Sequence, residues 1–245
     1  MFEGSRVVVV VPARDEAAHV AGVVATMPAF VDSIVLVDDG STDGTATVAR
    51  RTADPRLTVL RREESRGVGA AIVAGYRHAL AQGGGPYDVF AVMAGDGQMD
   101  PSDLPRLVAP VARGEADYAK GNRLAWPGVK ALMPRARRLG VQAFSRATSW
   151  AVGVAIRDSQ CGYTALSRRA CEGLDLDGLW PGFGYPNDLL GQLVARGARV
   201  VETPVRPIYA GEVSHLRLWH VPTIAALVVR ARLRVRRRVS PPRAE

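Results

Sequence analysis

Three short stretches of the chain are apolar at every position: Val7–Val11, Ile34–Val37 and Val89–Met93. Unbroken apolar runs of this length fit strands covered on both faces. Leu57–Leu60 fits a fourth such strand, interrupted only by Thr58. Between these runs, the pattern predicts helices near Ala17–Thr26, Thr45–Thr52 and Ala70–Leu80. Strands alternating with helices predict an α/β fold with a mostly parallel, doubly wound sheet and helices on both faces. Beyond residue 100 the alternation loosens. Helices are predicted near Pro101–Ala112, Pro134–Val152 and Asp188–Arg196, with a strand near Val200–Glu202. Gly83 to Pro86 is a connector too short to separate domains, and no internal repeat is present.

The polar residues that end these strands are the first candidates for chemistry, because open parallel sheets bind ligands outside the carboxyl ends of their strands. The first strand stops at Pro12-Ala13-Arg14-Asp15-Glu16. The second runs into Asp38-Asp39-Gly40-Ser41-Thr42-Asp43-Gly44-Thr45, where Ser41, Thr42 and Asp43 offer cap oxygens to the next helix. The strand at Val89 ends in Ala94-Gly95-Asp96-Gly97-Gln98-Met99-Asp100-Pro101. Asp100, Pro101 and Asp103 make a helix start. Asp96 lies between two glycines, which permit tight backbone and close approach of a ligand. Arg66-Gly67-Val68-Gly69-Ala70-Ala71-Ile72 also invites a dinucleotide-loop reading. Its glycines begin several residues past the strand and Ile72 fills the third glycine position, so that reading is set aside.

Composition narrows the class. At 245 residues and 47% apolar, the chain suffices for one enzyme-sized domain. The net charge of +8 is unevenly spread. No acid occurs from Leu124 to Ile156, a run that carries Lys130, Arg135, Arg137, Arg138 and Arg146. Arg135, Arg138, Gln142 and Arg146 recur at helical spacing, opposite Leu139, Ala143, Ala147 and Ala151. Such a stripe suits a phosphate or an anionic membrane. Six arginines fall between Arg230 and Arg238, directly after the apolar patch Ile224–Val229, which suggests an interfacial segment on anionic lipid. Nucleic acid is not expected, since the few aromatics do not interleave with these arginines. Cys161 and Cys171 match neither zinc nor redox spacing and read as reduced core thiols. His215 and His220, five residues apart, are not expected to ligate a metal. No signal-like segment precedes the first strand and no apolar run approaches the ~20 residues of a membrane span. The expected location is cytoplasmic, at most peripheral to the inner face of the cell membrane.

The Pro12 to Glu16 and Asp38 to Thr45 segments, at their separation, resemble those of the inverting glycosyltransferases of family 2. The likeness narrows to dolichyl-phosphate (polyprenyl-phosphate) mannosyl- and glucosyltransferases. It is carried by Ala116-Asp117-Tyr118-Ala119-Lys120-Gly121-Asn122-Arg123, by Asp158-Ser159-Gln160-Cys161-Gly162-Tyr163, by Gly184 to Leu190, by Glu202 to Val205 and by Arg206 to Leu218. Three positions depart from that pattern: Ala94 for an aspartate, Cys161 for a serine and His215 for a lysine. The resemblance implies a GT-A type domain over residues 1–219, followed by the basic tail, 220–245. It implies a nucleotide diphosphate sugar of the GDP-mannose or UDP-glucose type, contacted by Pro12, Ala13, Arg14, Glu16, Asp38, Asp39, Arg66, Gly69, Asp96 and Gly97. Asp96 and Gln98 would ligate Mg²⁺ or Mn²⁺, hard cations that prefer oxygen. Arg123, Arg138 and Arg206 would meet an anionic acceptor, a polyprenyl or dolichyl phosphate. If the acceptor were instead a hydroxyl of a small molecule or glycan, Asp188 is the candidate base. A relative that binds nucleotide sugar without turnover is the alternative from another class.

Overall fold

The structure, a computed structural model, describes residues 1–208 and 220–239. The first half alternates as the pattern predicts: β1 (Val7–Ala13), α1 (Val20–Ala25), β2 (Ser33–Asp38), α2 (Thr45–Arg51), β3 (Leu57–Arg61), α3 (Val68–Ala81) and β4 (Val89–Val92). The second half is α4 (Leu104–Ala112), β5 (Tyr118–Asn122), α5 (Val129–Leu132), α6 (Arg135–Val152), β6 (Thr164–Ser167), α7 (Arg168–Glu172), α8 (Tyr185–Ala195), β7 (Val200–Pro204) and α9 (His220–Val239). One seven-stranded sheet runs β3-β2-β1-β4-β6-β5-β7. All neighbouring pairs are parallel except the two that involve β6.

The alternation hidden inside the apolar strands is visible in their packing. Val7, Val9 and Val11 face a core closed by α1 and α4, while Val8 and Val10 face a second core closed by α3 and α8. Both faces of β1 are covered, so every position must be apolar. Strands β5 and β6 were not expected, and β5 shows why. Its sequence Tyr-Ala-Lys-Gly-Asn is buried throughout, yet it holds a lysine and an asparagine. The Lys120 ammonium is buried and donates to the Cys161 carbonyl. Burial pushes its pKa down.

Two expectations about basic helices need correction. On α6 the buried face is Val141, Ser145, Thr148 and Ala151 with Val152; Leu139, Ala143 and Ala147 are exposed. Residues 220–239 are not an appended tail but a helix packed on α8 and α6. Ile224, Leu227 and Val228 of the supposed membrane patch turn into the protein, together with Ala231. Gly191 of α8 permits this approach, since a Cβ there would lie 2.9 Å from the Ala231 Cα. Among the described residues no helix is long and apolar enough to cross a membrane.

Candidate active site

The carboxyl ends of β1, β2 and β4 are laced together by main-chain bonds. The Asp39 amide donates to the Ala13 carbonyl at 2.9 Å and the Gly95 amide to that of Pro12 at 3.0 Å. Gly95 is required here, because a Cβ would stand 2.9 Å from that of Ala13. The two aspartates at the end of β2 are both buried and both hydrogen-bonded. Asp38 accepts from the Ser41 amide at 2.9 Å and so closes the turn. Asp39 accepts from the Arg66 amide (3.0 Å), the Gly67 amide (2.8 Å), the Ser65 hydroxyl (2.7 Å) and the Arg62 guanidinium (3.0 Å). Burial pushes the Asp39 carboxyl up, but these four donors outweigh it and hold its pKa below the ordinary carboxylate value. Four donors use the acceptor capacity of one carboxylate. Asp39 therefore buttresses the loop that borders the site, while Asp38 closes its own turn with the exposed Arg61 3.8 Å from its other oxygen.

The other expected nucleotide contacts divide in the same way. Pro12 lines the central cavity. Arg14 is exposed at the rim and donates to the Ser65 hydroxyl at 3.1 Å. The Glu16 amide is tied to the Thr45 hydroxyl at 2.8 Å, and its carboxylate lies 3.0 Å from His19 Nδ1. Arg66 is exposed. Gly69 is buried under the Trp180-Pro181 backbone, which a Cβ there would strike.

A cavity of about 340 Å³ opens beyond these strand ends, between α3, α6 and the start of α8. Its polar lining includes Asp96, Gln98, Arg123, Arg137, Gln160 and Tyr185. A smaller pocket of about 60 Å³ also borders Asp96, Gln98 and Arg123 and adds Arg206. Asp96 is fixed by its own turn: its carboxylate accepts from the Gln98 amide at 3.0 Å, and Gly97 between them has φ +72°. Ala94 lines the cavity beside Asp96, where it offers no donor oxygen. Asp96 and Gln98 thus present one carboxylate and one amide as oxygen ligands. Among the described residues no cluster of three acidic, histidine or cysteine side chains could by itself hold a metal. That set fits a hard cation bound mainly through substrate phosphates and water.

One arginine of the basic wall is set by long-range ion pairing. Arg123, just past β5, is clamped by Asp158: Nε to Oδ2 at 2.8 Å, Nη2 to Oδ1 at 2.9 Å, and the Arg123 amide to Oδ2 at 3.0 Å. Asp158 is wholly buried; burial raises its pKa, but Arg123 and Lys120 overcome this and leave it lowered. The carboxylate grips one edge of the guanidinium, and Arg123 borders both cavities. Arg206 borders the smaller one, its amide held by Asp103.

Arg138 does not reach either cavity. The α6 side that does so carries Arg137, Gly140, Val141 and Phe144, whereas Gln142 and Arg146 border a separate groove with Arg157. Arg137 was missed because the stripe was anchored on Arg135; the spacing Arg137, Val141, Phe144 was the available signal. Asp188 is also misplaced as a base. It is fully buried, accepts from the Trp180 amide at 3.0 Å and pairs with Arg234 and Arg230 of α9. It does not line the cavity. His215 and Arg217 lie outside the described residues.

The family model described as Glycosyl transferase family 2 matches residues 8–173. An undecaprenyl-phosphate mannosyltransferase of Micrococcus luteus is 34% identical over 175 residues, covering 70% of each chain. A polyprenol monophosphomannose synthase of Mycolicibacterium smegmatis is 35% identical over 176 residues, 70% of this chain and 65% of that one. Among solved structures, glucosyl-3-phosphoglycerate synthase from Mycobacterium tuberculosis, in complex with Mn²⁺, UDP and phosphoglyceric acid, superposes with a TM-score of 0.68. It is 21% identical, with 98% of this chain and 81% of that chain covered, so the likeness bears on fold, which is of the GT-A type.

Proposed function

The chain belongs to glycosyl transferase family 2, and we propose that it transfers a hexose from a nucleotide diphosphate sugar to a polyprenyl phosphate, with inversion. The relatives named above favour mannose as the sugar. One observation carries the proposal: among the described residues lining the central cavity, Asp96 is the single carboxylate, and it faces a wall that holds Arg123 and Arg137. A hydroxyl acceptor needs a base to take its proton. A phosphomonoester needs none, because its second pKa near 6 leaves it largely dianionic at neutral pH. With Asp188 locked to α9, no second carboxylate among the described residues lining the cavity supports a hydroxyl acceptor.

The roles follow from position. Asp96 and Gln98 would hold Mg²⁺ or Mn²⁺, which when bound neutralises charge on the leaving diphosphate. Arg206, next to them, adds positive charge on the same side. Arg123, made rigid by Asp158, and Arg137 would hold the acceptor phosphate through charge-assisted bonds. Ile72, Val141, Phe144 and Phe183 form an apolar flank that suits the first isoprene units. Catalysis would then come from positioning and charge neutralisation, not from proton transfer. A thermal-shift screen of nucleotide diphosphates with and without Mn²⁺ tests the donor site. A ligand at 100 times its Kd adds about 2.7 kcal/mol. Stabilisation by a nucleoside diphosphate, strengthened by metal in wild type but not in Asp96→Asn, supports the reading. Equal response of the two proteins contradicts it.

A further inference from the structure

Of the nine large apolar side chains exposed among the described residues, seven lie on α5, α6, α9 and the turn before α8. On α6 they form one stripe, Leu139 at 63% exposure and Trp150 at 62%, joined by the exposed Ala143 and Ala147. On α9 a second stripe runs through Ala225, Val229 at 54% and Leu233 at 52%. These faces are opposite the ones each helix buries in the core. The two helices touch, and the Arg232 guanidinium lies 4.9 Å from the centre of the Trp150 ring and donates to the Trp150 carbonyl at 3.1 Å. The stripes are therefore neighbours on one surface. Neither helix contains an acid, while Arg135, Arg146, Arg236 and Arg237 are exposed on them. The same surface reaches the cavity, since α6 contributes Arg137 and Phe144 to its lining.

We infer that the outer faces of α6 and α9 form one docking surface for an anionic lipid bilayer, with Leu139, Trp150, Val229 and Leu233 seated in the interface. Apolar side chains flanked by arginines and free of acid match the headgroup boundary of such a membrane. A second copy of the chain is a poor occupant, because two such faces would set arginines against arginines without a carboxylate between them. The inference rests on the proposed function only in explaining why a cavity for a lipid-linked acceptor should open beside this surface. Truncating residues 220–245 would not test it, since α9 is part of the core.

The test uses the full chain in flotation assays with phosphatidylglycerol/phosphatidylcholine vesicles and with phosphatidylcholine vesicles, alongside Leu139→Glu/Leu233→Glu. Both substituted positions are exposed, so the melting temperature should be unchanged. Wild type should float with the anionic vesicles and not with the neutral ones, and the double variant should lose about tenfold or more in partitioning. With vesicle-embedded polyprenyl phosphate the variant should turn over more slowly, whereas detergent-dispersed acceptor should restore its rate. Wild type that never floats, or a variant that floats equally well, overturns the surface. So does a wild-type dimer in light scattering that the variant dissolves, which would assign the face to a second copy. Flotation that persists while no polyprenyl phosphate is glycosylated in detergent leaves the surface standing and removes the proposed function.

Discussion

The two halves of the sheet build their sides of the cavity by different means. On the β1–β4 side the cavity carboxylate is set locally, since Asp96, Gly97 and Gln98 form their own turn; its buttress Asp39 reaches 27 and 28 residues along the chain to the Arg66 and Gly67 amides of the loop after the adjoining strand. On the β5–β7 side the cavity residue Arg123, and Asp117 and Asp188 outside the cavity, each depend on a partner far along the chain. Arg123 is set by Asp158, Asp117 by Arg169 and Arg199, and Asp188 by Arg234. A site wall made from local turns can be read from strand ends. One made from distant ion pairs cannot, because nothing in the sequence says which arginine meets which carboxylate.

The largest expected effect lies on the local side. Asp96→Asn should keep the melting temperature and lower turnover about a thousandfold, since the charge facing the diphosphate is lost. Near wild-type rates with Mn²⁺ present would dissolve the functional distinction between the two walls.

On the distal side, Asp158→Asn should damage fold and function together. Removing one partner of a buried pair costs about 3–5 kcal/mol. Chemical denaturation should show that loss, with an acceptor KM raised in whatever protein remains folded. An unchanged midpoint would mean that Arg123 is held by something other than this clamp.

A third comparison separates neighbours on α6. Arg137→Ala should raise the acceptor KM roughly tenfold to a hundredfold, as expected for a charged hydrogen bond worth about 1.5–3 kcal/mol, and should move the donor KM little. Arg138→Ala should change neither. The reverse result would restore the stripe read from sequence.

The smallest effect concerns acid stability. Burial raises the Asp117 pKa, but Arg199 and Arg169 prevail and bring it to about 2. Because the folded value lies below the unfolded one, this pairing stabilises the fold fully above about pH 4 and less as pH falls towards 2. Its arginines are half exposed, so the contribution is discounted to on the order of 1 kcal/mol. Asp117→Asn should remove that slope from denaturation midpoints measured between pH 5 and 2; an identical slope would show that the pair is not linked to folding.

Legibility follows the same division. Strands β1, β2 and β4 declared themselves because burial on both faces forces apolar runs, and Asp96 and Gln98 stood out by following such a run; the edge strand β3 is only half-buried, and Thr58 interrupts its pattern. Strand β5 stayed hidden because the buried Lys120 and Asn122 break the apolar signal, their polar groups being answered by the Cys161 carbonyl and by Glu202 and the Ala125 amide. For α9 the sequence leaves the packing open, since an apolar patch beside arginines has the same composition whether it faces lipid or protein. In the structure Ile224, Leu227 and Val228 face inward while Val229 and Leu233 face out. Asp188 looked like a free acid at a helix start, and only the return of α9 shows it to be paired.

The central claim is that the cavity joins a diphosphate side at Asp96 and Gln98 to a phosphate-acceptor side at Arg123 and Arg137. It is tested most directly by incubating purified protein with radiolabelled GDP-mannose or UDP-glucose, Mn²⁺ or Mg²⁺, and a polyprenyl monophosphate in detergent, then extracting the lipid. The expected result is a glycosylated lipid phosphate made by wild type, absent with Asp96→Asn and unaffected by Arg138→Ala. Transfer to a polyprenol lacking the phosphate, at a rate equal to that with it, would contradict the account.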